Sequence, residues 1–79
     1  MKTSYFTFGQ QHIHKVDGFL YDKDIVVEIT AANPRAEMFR IFGDRWAAEY
    51  ENLQAVEVEK YYSRGVKKIK IGGQDNAGN

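Results

Sequence analysis

The sequence predicts a single α+β domain, in which a small antiparallel or mixed sheet of three to four strands carries one main helix. Three observations favour this fold class: an Asp-Gly turn signal between two alternating runs, an Asn-Pro pair that opens a helical stripe, and two later alternating runs. The predicted order of elements is ββαβ(α)β. We expect one domain over residues 1–71, followed by a disordered tail over residues 72–79 with almost nothing to bury.

An N-terminal β-hairpin is the first predicted element. Asp17-Gly18 is typical of a two-residue type I′ turn. A turn at this position pairs residues 3–14 with residues 20–30 and collects the apolar side chains on one face, with fraying or a bulge near Gly9 left open. The opposed pairs in this register include Phe6 with Ile29, Phe8 with Val27, His12 with Lys23 and His14 with Tyr21.

The main helix is predicted to begin at Asn33-Pro34, with Asn as the N-cap and Pro at the first helical position. Gly43 is a typical residue for the position after a helix ends. The apolar stripe that we expect to face the sheet contains Met38, Phe39 and Phe42. A helix this short needs contact with the sheet to be stable.

Two further strands follow the helix. Residues 45–50 alternate, which predicts that Trp46, Ala48 and Tyr50 share one face and that Arg45, Ala47 and Glu49 share the other. Residues 52–62 fit either a helix or a strand, and the helix is favoured. Residues 67–71 predict a last edge strand with Ile69 and Ile71 inward and with Lys68 and Lys70 outward, where lysines protect the edge.

Composition excludes several classes of site. The chain has no Cys, which excludes disulfides, thiolate metal sites and a Cys nucleophile. No apolar run approaches the length of about 18 to 20 residues that a membrane span needs. Eleven basic and eleven acidic residues balance, so the chain as a whole attracts neither nucleic acid nor membrane. We therefore expect a cytoplasmic protein with no membrane partner, of undetermined oligomeric state.

Metal and catalytic sites are not expected. His12 and His14 share a face of the predicted strand, but Lys23 opposite His12 disfavours a cation and no third ligand converges. The carboxylates show no paired spacing, and a chain of this size is expected to have difficulty forming a pocket of about 300 Å³ or more. The predicted sets of catalytic residues, metal ligands and cofactors are therefore empty, and a small His-centred metalloprotein or enzyme is the least favoured alternative.

A basic C-terminal segment supports an alternative function in nucleic-acid binding. Residues 60–70 contain five bases and no acid, with tyrosines among them, as in proteins that bind single strands. The candidate nucleic-acid contacts are Lys60, Arg64, Lys67, Lys68 and Lys70. The neutral balance of the whole chain favours instead a solvated edge strand.

A protein-binding surface is the favoured interpretation. Tyr61 and Tyr62 are adjacent, so they cannot both point inward, and at least one is expected to be exposed among charges of both signs. An exposed Tyr with a polar rim is typical of an interface anchor. The candidate partner-binding residues are Tyr61, Tyr62, Arg64, Glu49 and Glu28. Trp46 and Tyr50 are further candidate anchors, although Trp46 is expected mainly to close the core.

Two motifs resemble small uncharacterised proteins of bacteriophages and prophages. The first is Tyr5-Phe6-Thr7-Phe8-Gly9 with a following His. The second is Arg35-Ala36 with Met38-Phe39, followed by Phe42-Gly43-Asp44 and Trp46-Ala47, and the resemblance covers residues 5–50. No activity or site residue is carried over from that group. The resemblance implies a phage-type accessory protein that binds and blocks or redirects a host protein complex, including a defence complex, in the host cytoplasm.

Overall fold

The computed structural model describes residues 1–71, so the tail predicted at 72–79 lies outside the described residues. Six strands form in this part of the chain: β1 (Lys2–Thr7), β2 (His14–Val16), β3 (Phe19–Tyr21), β4 (Val26–Ala31), β5 (Ala48–Tyr50) and β6 (Val66–Lys70). The helices of the same part are α1 (Pro34–Phe42), α2 (Leu53–Val56) and α3 (Val58–Tyr61).

The main sheet has four strands in the order β5-β1-β4-β6, and β2 and β3 form a separate two-stranded sheet. β1 is antiparallel to β4 and β5, whereas β4 and β6 are parallel. The prediction of a small α+β fold with a mixed sheet is confirmed. The parallel pair needs a long crossover, which α1, β5, α2 and α3 provide.

The predicted hairpin forms in two separate pieces. Asp17 and Gly18 have φ angles of 51° and 81°, as a type I′ turn requires, and His14 pairs with Tyr21 as predicted. Beyond this short ladder the pairing is interrupted, and it resumes only between β1 and β4. The predicted turn is therefore correct, whereas the predicted pairing across residues 8–13 does not form.

The register of the main sheet differs from the predicted one by two residues. Phe6 pairs with Val27 and not with Ile29. Residues 8–13 connect β1 to β2, whereas the shorter segment 22–25 connects β3 to β4, and the two extra residues produce the shift. Because side chains alternate with a period of two, a shift by two residues leaves each side chain on its predicted face.

The hydrophobic core lies between the main sheet and α1. Its buried members are Phe6, Phe8, Tyr21, Ile25, Val27, Ile29, Ala31, Met38 and Phe42. α1 begins where the Asn33 side chain accepts a hydrogen bond from a first-turn amide at 3.2 Å, and it ends at Gly43 with a φ of 68°. Both ends are as predicted. Phe39, predicted on the buried stripe, is instead 46% exposed, because Met38 and Phe42 occupy the side of α1 that faces the sheet.

The opposite face of the main sheet is partly covered by α2 and α3. The helical interpretation of residues 52–62 is confirmed, but Glu57, with a φ of 57°, divides the segment into two short helices. Val56 of α2 is buried, as are Thr7 and Val26, whose side chains lie on this face of the sheet. The remainder of the face, which carries Tyr5, stays only partly buried.

β5 is shorter than the strand predicted over residues 45–50. Tyr50 pairs with Tyr5 and therefore lies on the face that α2 and α3 partly cover. Trp46 instead packs edge-on against Phe6 on the α1 face, with ring centroids 5.3 Å apart, as expected for a residue that closes the core. The prediction that Trp46 and Tyr50 share a face is wrong, because regular strand alternation begins only with β5.

Candidate protein-interaction surface

One of the two adjacent tyrosines is exposed, as predicted for at least one of them. Tyr61, the last residue of α3, is 57% exposed, and the Lys60 ammonium group lies 5.2 Å from its ring centroid. Tyr62 is half-buried. Burial raises the pKa of Tyr62, a hydrogen bond with the Thr7 hydroxyl lowers it, and the neighbouring Tyr50 raises it further, with a net upward shift. Of the pair, Tyr61 is the residue that a partner can reach.

Arg64 makes contacts within the domain. Its Nη1 donates hydrogen bonds to the Leu20 carbonyl oxygen at 2.7 Å and to Asp22 Oδ1 at 3.3 Å. The guanidinium group also lies 5.2 Å from the ring centroid of Phe19. These contacts join the start of β6 to the β2–β3 hairpin. A partner would have to break or share them in order to use this side chain.

Glu28 and Glu49 lie on opposite faces of the main sheet. Glu28 pairs with Tyr5 on the face that α2 and α3 partly cover. Burial, a hydrogen bond to Glu28 and the charge of Glu28 together raise the pKa of Tyr5. Glu49 pairs with Phe6 on the α1 face and forms an ion pair with Arg35, Nη1 to Oε1, at 3.0 Å. The five predicted partner-binding residues therefore do not form one surface.

The basic segment is also divided between surfaces. Lys67 lies on the α1 face, where its ammonium group is 4.7 Å from the ring centroid of Phe19. Lys68 and Lys70 are exposed on the opposite face of β6, as predicted for that strand, and Lys60 lies on α3. With Arg64 bound to the hairpin, the five candidate nucleic-acid contacts do not make a continuous basic stripe.

A group of aromatic and arginine side chains, of which the sequence indicated only Trp46 as a candidate, lies at the surface between α1 and the start of β5. This Phe39 cluster consists of Arg35, Phe39 and Trp46. The Arg35 guanidinium carbon lies 5.6 Å from the Phe39 centroid and 5.3 Å from the Trp46 centroid, and the two rings are 5.4 Å apart. Trp46 Nε1 donates to the Gly43 carbonyl oxygen at 3.0 Å, which fixes the indole. The i, i+4 spacing of Arg35 and Phe39 was the available signal.

Two surface grooves lie elsewhere on the domain. One, of about 550 Å³, is lined by residues of α2 and α3 and by Val66 of β6. The other, of about 480 Å³, lies between the β2–β3 hairpin, the end of α1 and Ile69 and Ile71. Both exceed the size that we expected a chain of this length to form, so that expectation is wrong.

The two histidines have separate environments. His14 Nε2 donates a hydrogen bond to the Arg45 carbonyl oxygen at 2.7 Å, and its ring packs against Phe8 and Phe42. His12 lies in the connection after β1, outside any strand, and its buried Nδ1 has no hydrogen-bond partner in the structure. Within residues 1–71, no group of three or more His, Cys, Asp or Glu side chains converges as metal ligands would.

Comparisons with protein-family models, with curated proteins and with solved structures found no match to this chain. None of the helices over residues 1–71 is both long and apolar enough to cross a membrane.

Proposed function

We propose that this chain is a non-enzymatic protein-interaction module, of the phage type that modulates or inhibits a host protein complex in the host cytoplasm. The observation that carries the proposal is the Phe39 cluster. Trp and Arg are among the residues that dominate binding energy at protein interfaces, and aromatic residues are enriched there. Here Arg35, Phe39 and Trp46 form one group at the surface.

The cluster is arranged as an anchor for a partner. Trp46 packs against the core through Phe6 and is held by its bond to Gly43, so little side-chain freedom would be lost on binding. Phe39 stands beside it with nearly half of its surface in solvent. Arg35, Glu49 and the Arg40–Glu37 ion pair supply charges of both signs around these rings. A rigid aromatic centre with a polar rim fits the surface of another protein.

Affinity purification from host lysate, with nuclease added, tests the proposal. The wild-type chain should retain a defined protein or complex in stoichiometric amount. Phe39→Ala should weaken this capture by at least about tenfold, which corresponds to about 1.4 kcal/mol. Ile13→Ala is the matched control, because Ile13 is a large apolar residue, 63% exposed, in the connection between β1 and β2.

Two results would contradict the proposal. In one, the wild-type chain retains no protein once nuclease is added, which favours the alternative function in nucleic-acid binding. In the other, Phe39→Ala and Ile13→Ala weaken capture equally while both variants melt as the wild type does. That result would show that the partner does not bind at the Phe39 cluster, and Tyr61 would then be the next candidate anchor.

A further inference from the structure

Within residues 1–71, no strand pairs with the outer edge of β6, and this edge has a defined set of backbone groups. It is the last strand in the order β5-β1-β4-β6. The Gly65 carbonyl oxygen accepts from the Val26 amide, and the Ile71 amide donates to the Thr30 carbonyl oxygen, so these two residues direct their backbone groups toward β4. Alternate residues of a strand direct these groups to opposite sides. The N–H and C=O groups of Val66, Lys68 and Lys70 therefore face the free edge.

The side chains of the same three residues lie on one face of the sheet. Val66 pairs with Val26, Lys68 with Glu28 and Lys70 with Thr30, all on the face that α2 and α3 partly cover. Lys68 and Lys70 are exposed, and neither forms an ion pair with another residue of the described part, 1–71. The edge thus carries two adjacent cations on one face.

An apolar groove adjoins the start of this edge. Leu53 and Val58, from the helices, and Val66, from β6, provide its apolar lining in a volume of about 550 Å³. Leu53, one of these lining residues, is 38% exposed. A side chain placed beside Val66 on an added strand would point into this groove, because neighbouring residues of paired strands share a face.

We propose that the outer edge of β6 binds an extended acidic peptide of a partner protein as a fifth strand. The peptide would carry one apolar residue beside Val66 and an acidic residue beside each of Lys68 and Lys70. Its pattern is apolar, any, acidic, any, acidic along β6, since these side chains must lie on one face. This inference rests on the proposed function and specifies the chemistry of one segment of the partner.

A peptide fits this edge better than a nucleic acid does. The edge offers backbone donors and acceptors at the spacing of a strand, which a peptide matches and a phosphate chain does not. Glu57 and Glu59 line the groove and would repel any anion there, phosphate or carboxylate, so the peptide places its apolar residue at the groove and its acidic residues beside Lys68 and Lys70. Lysines on an edge strand also prevent aggregation, and this second role is the competing explanation for Lys68 and Lys70.

Fluorescence anisotropy with two labelled peptides, Leu-Thr-Glu-Thr-Glu and its reverse order, tests both strand directions. One of the two should bind the full chain saturably, and its affinity should decrease at high salt. Lys68→Pro should weaken binding at least about tenfold, because it removes an edge N–H that no strand uses, while a proline at such a position is tolerated. Lys68→Ala, which keeps that N–H, should weaken binding by about threefold.

Charge reversal supplies the matched comparison. Lys68→Glu with Lys70→Glu should abolish binding of the acidic peptide. Lys15→Glu with Arg45→Glu changes the net charge equally at exposed positions in β2 and just before β5, at the opposite edge of the sheet, and should alter affinity less than about twofold. If Lys68→Pro does not fold, the wild-type chain with a peptide methylated on its backbone nitrogens makes the same test. Loss of binding on methylation supports an added strand.

Three results would overturn the inference. Saturation by a single-stranded oligonucleotide but by neither peptide would assign these lysines to nucleic acid. Absence of binding by either probe at millimolar peptide would leave them as protection against aggregation. Peptide binding that Lys68→Pro and backbone methylation leave intact would exclude strand addition. If capture of a host protein still depends on Phe39 in any of these cases, only this inference fails and the proposed function stands.

Discussion

Replacing Phe8 by alanine tests whether the core is assembled as the structure has it. Phe8 follows the last residue of β1, outside any strand, and yet it is completely buried. Its ring contacts His14, Tyr21 and Phe42, with centroid separations of 5.7, 5.9 and 5.1 Å. The side chain therefore joins β1, the β2–β3 hairpin and α1 at one point.

The expected cost follows from this burial. Truncation of a buried Phe to Ala costs about 3–5 kcal/mol, because apolar contact is lost and a cavity remains. A stability of about 0.05–0.15 kcal/mol per residue gives about 4–12 kcal/mol for a domain of this size. Phe8→Ala should therefore remove a large share of the free energy of unfolding. Phe8→Leu, which keeps much of the volume, should cost about 1–2 kcal/mol and remains measurable if Phe8→Ala does not fold.

Phe39→Ala is the matched control, because it removes the same ring from a position that is 46% exposed. Its cost should stay below about 1 kcal/mol. Urea denaturation followed by far-ultraviolet circular dichroism is the suitable assay, since the fluorescence of Trp46 would respond directly to loss of the Phe39 contact. Costs that agree within about 1 kcal/mol for Phe8→Ala and Phe39→Ala would refute this account of the core.

Three further perturbations have defined outcomes by the same denaturation assay. Gly9→Ala should cost about 2–4 kcal/mol and Gly18→Ala about 1–2 kcal/mol, because both glycines have a positive φ. Only at Gly9 would a new Cβ also meet a neighbour, the Ala47 Cβ at 3.1 Å, and equal costs would contradict that contact. Arg64→Lys should cost about 1–2 kcal/mol, since lysine keeps the positive charge but not the planar guanidinium, which both donates to the Leu20 carbonyl oxygen and lies over the Phe19 ring. An unchanged free energy of unfolding would show that the charge alone is sufficient. The contribution of Tyr5, Tyr21 and Tyr62 to stability should be constant below about pH 10 and decrease above it, because the raised pKa of each keeps it neutral in the fold while it ionises near pH 10 in the unfolded chain. Tyr5→Phe should reduce the loss of stability above about pH 10, and an unchanged loss would exclude Tyr5 as a source of it.

The hairpin illustrates what a sequence can and cannot determine. The turn at Asp17-Gly18 and the division of side chains between faces were predictable, because both follow from local chemistry and a period of two. The pairing of Phe6 with Val27 was not, since a register shifted by two residues gives the same division. Only the unequal connections on the two sides of the interruption decide between the registers.

The exposure and the contacts of the surface residues were only partly predictable from the sequence, because they depend on contacts between residues far apart in the chain. Exposure of one of the two adjacent tyrosines was predictable from adjacency alone, and the structure identifies it as Tyr61. The pairing of Arg64 with the Leu20 carbonyl oxygen joins residues 44 positions apart, and no local pattern indicates it. Thr7 lies on the face of β1 opposite the core cluster, yet it is buried because α2 and α3 cover that part of the sheet.

The two surfaces proposed for binding lie at opposite edges of the main sheet. The Phe39 cluster adjoins β5 at one edge, and the acidic-peptide site uses β6 at the other. Three strand spacings of about 4.8 Å separate these edges by about 14 Å, so one partner segment can reach both only by crossing the sheet or α1. Neither Phe39 nor Lys68 belongs to the core that lies between the two edges, because both residues are exposed. Substitutions at the two edges therefore act on binding independently, and a partner that responds to both must present two separate segments, one folded surface for the aromatic rings and one extended chain for the edge of β6.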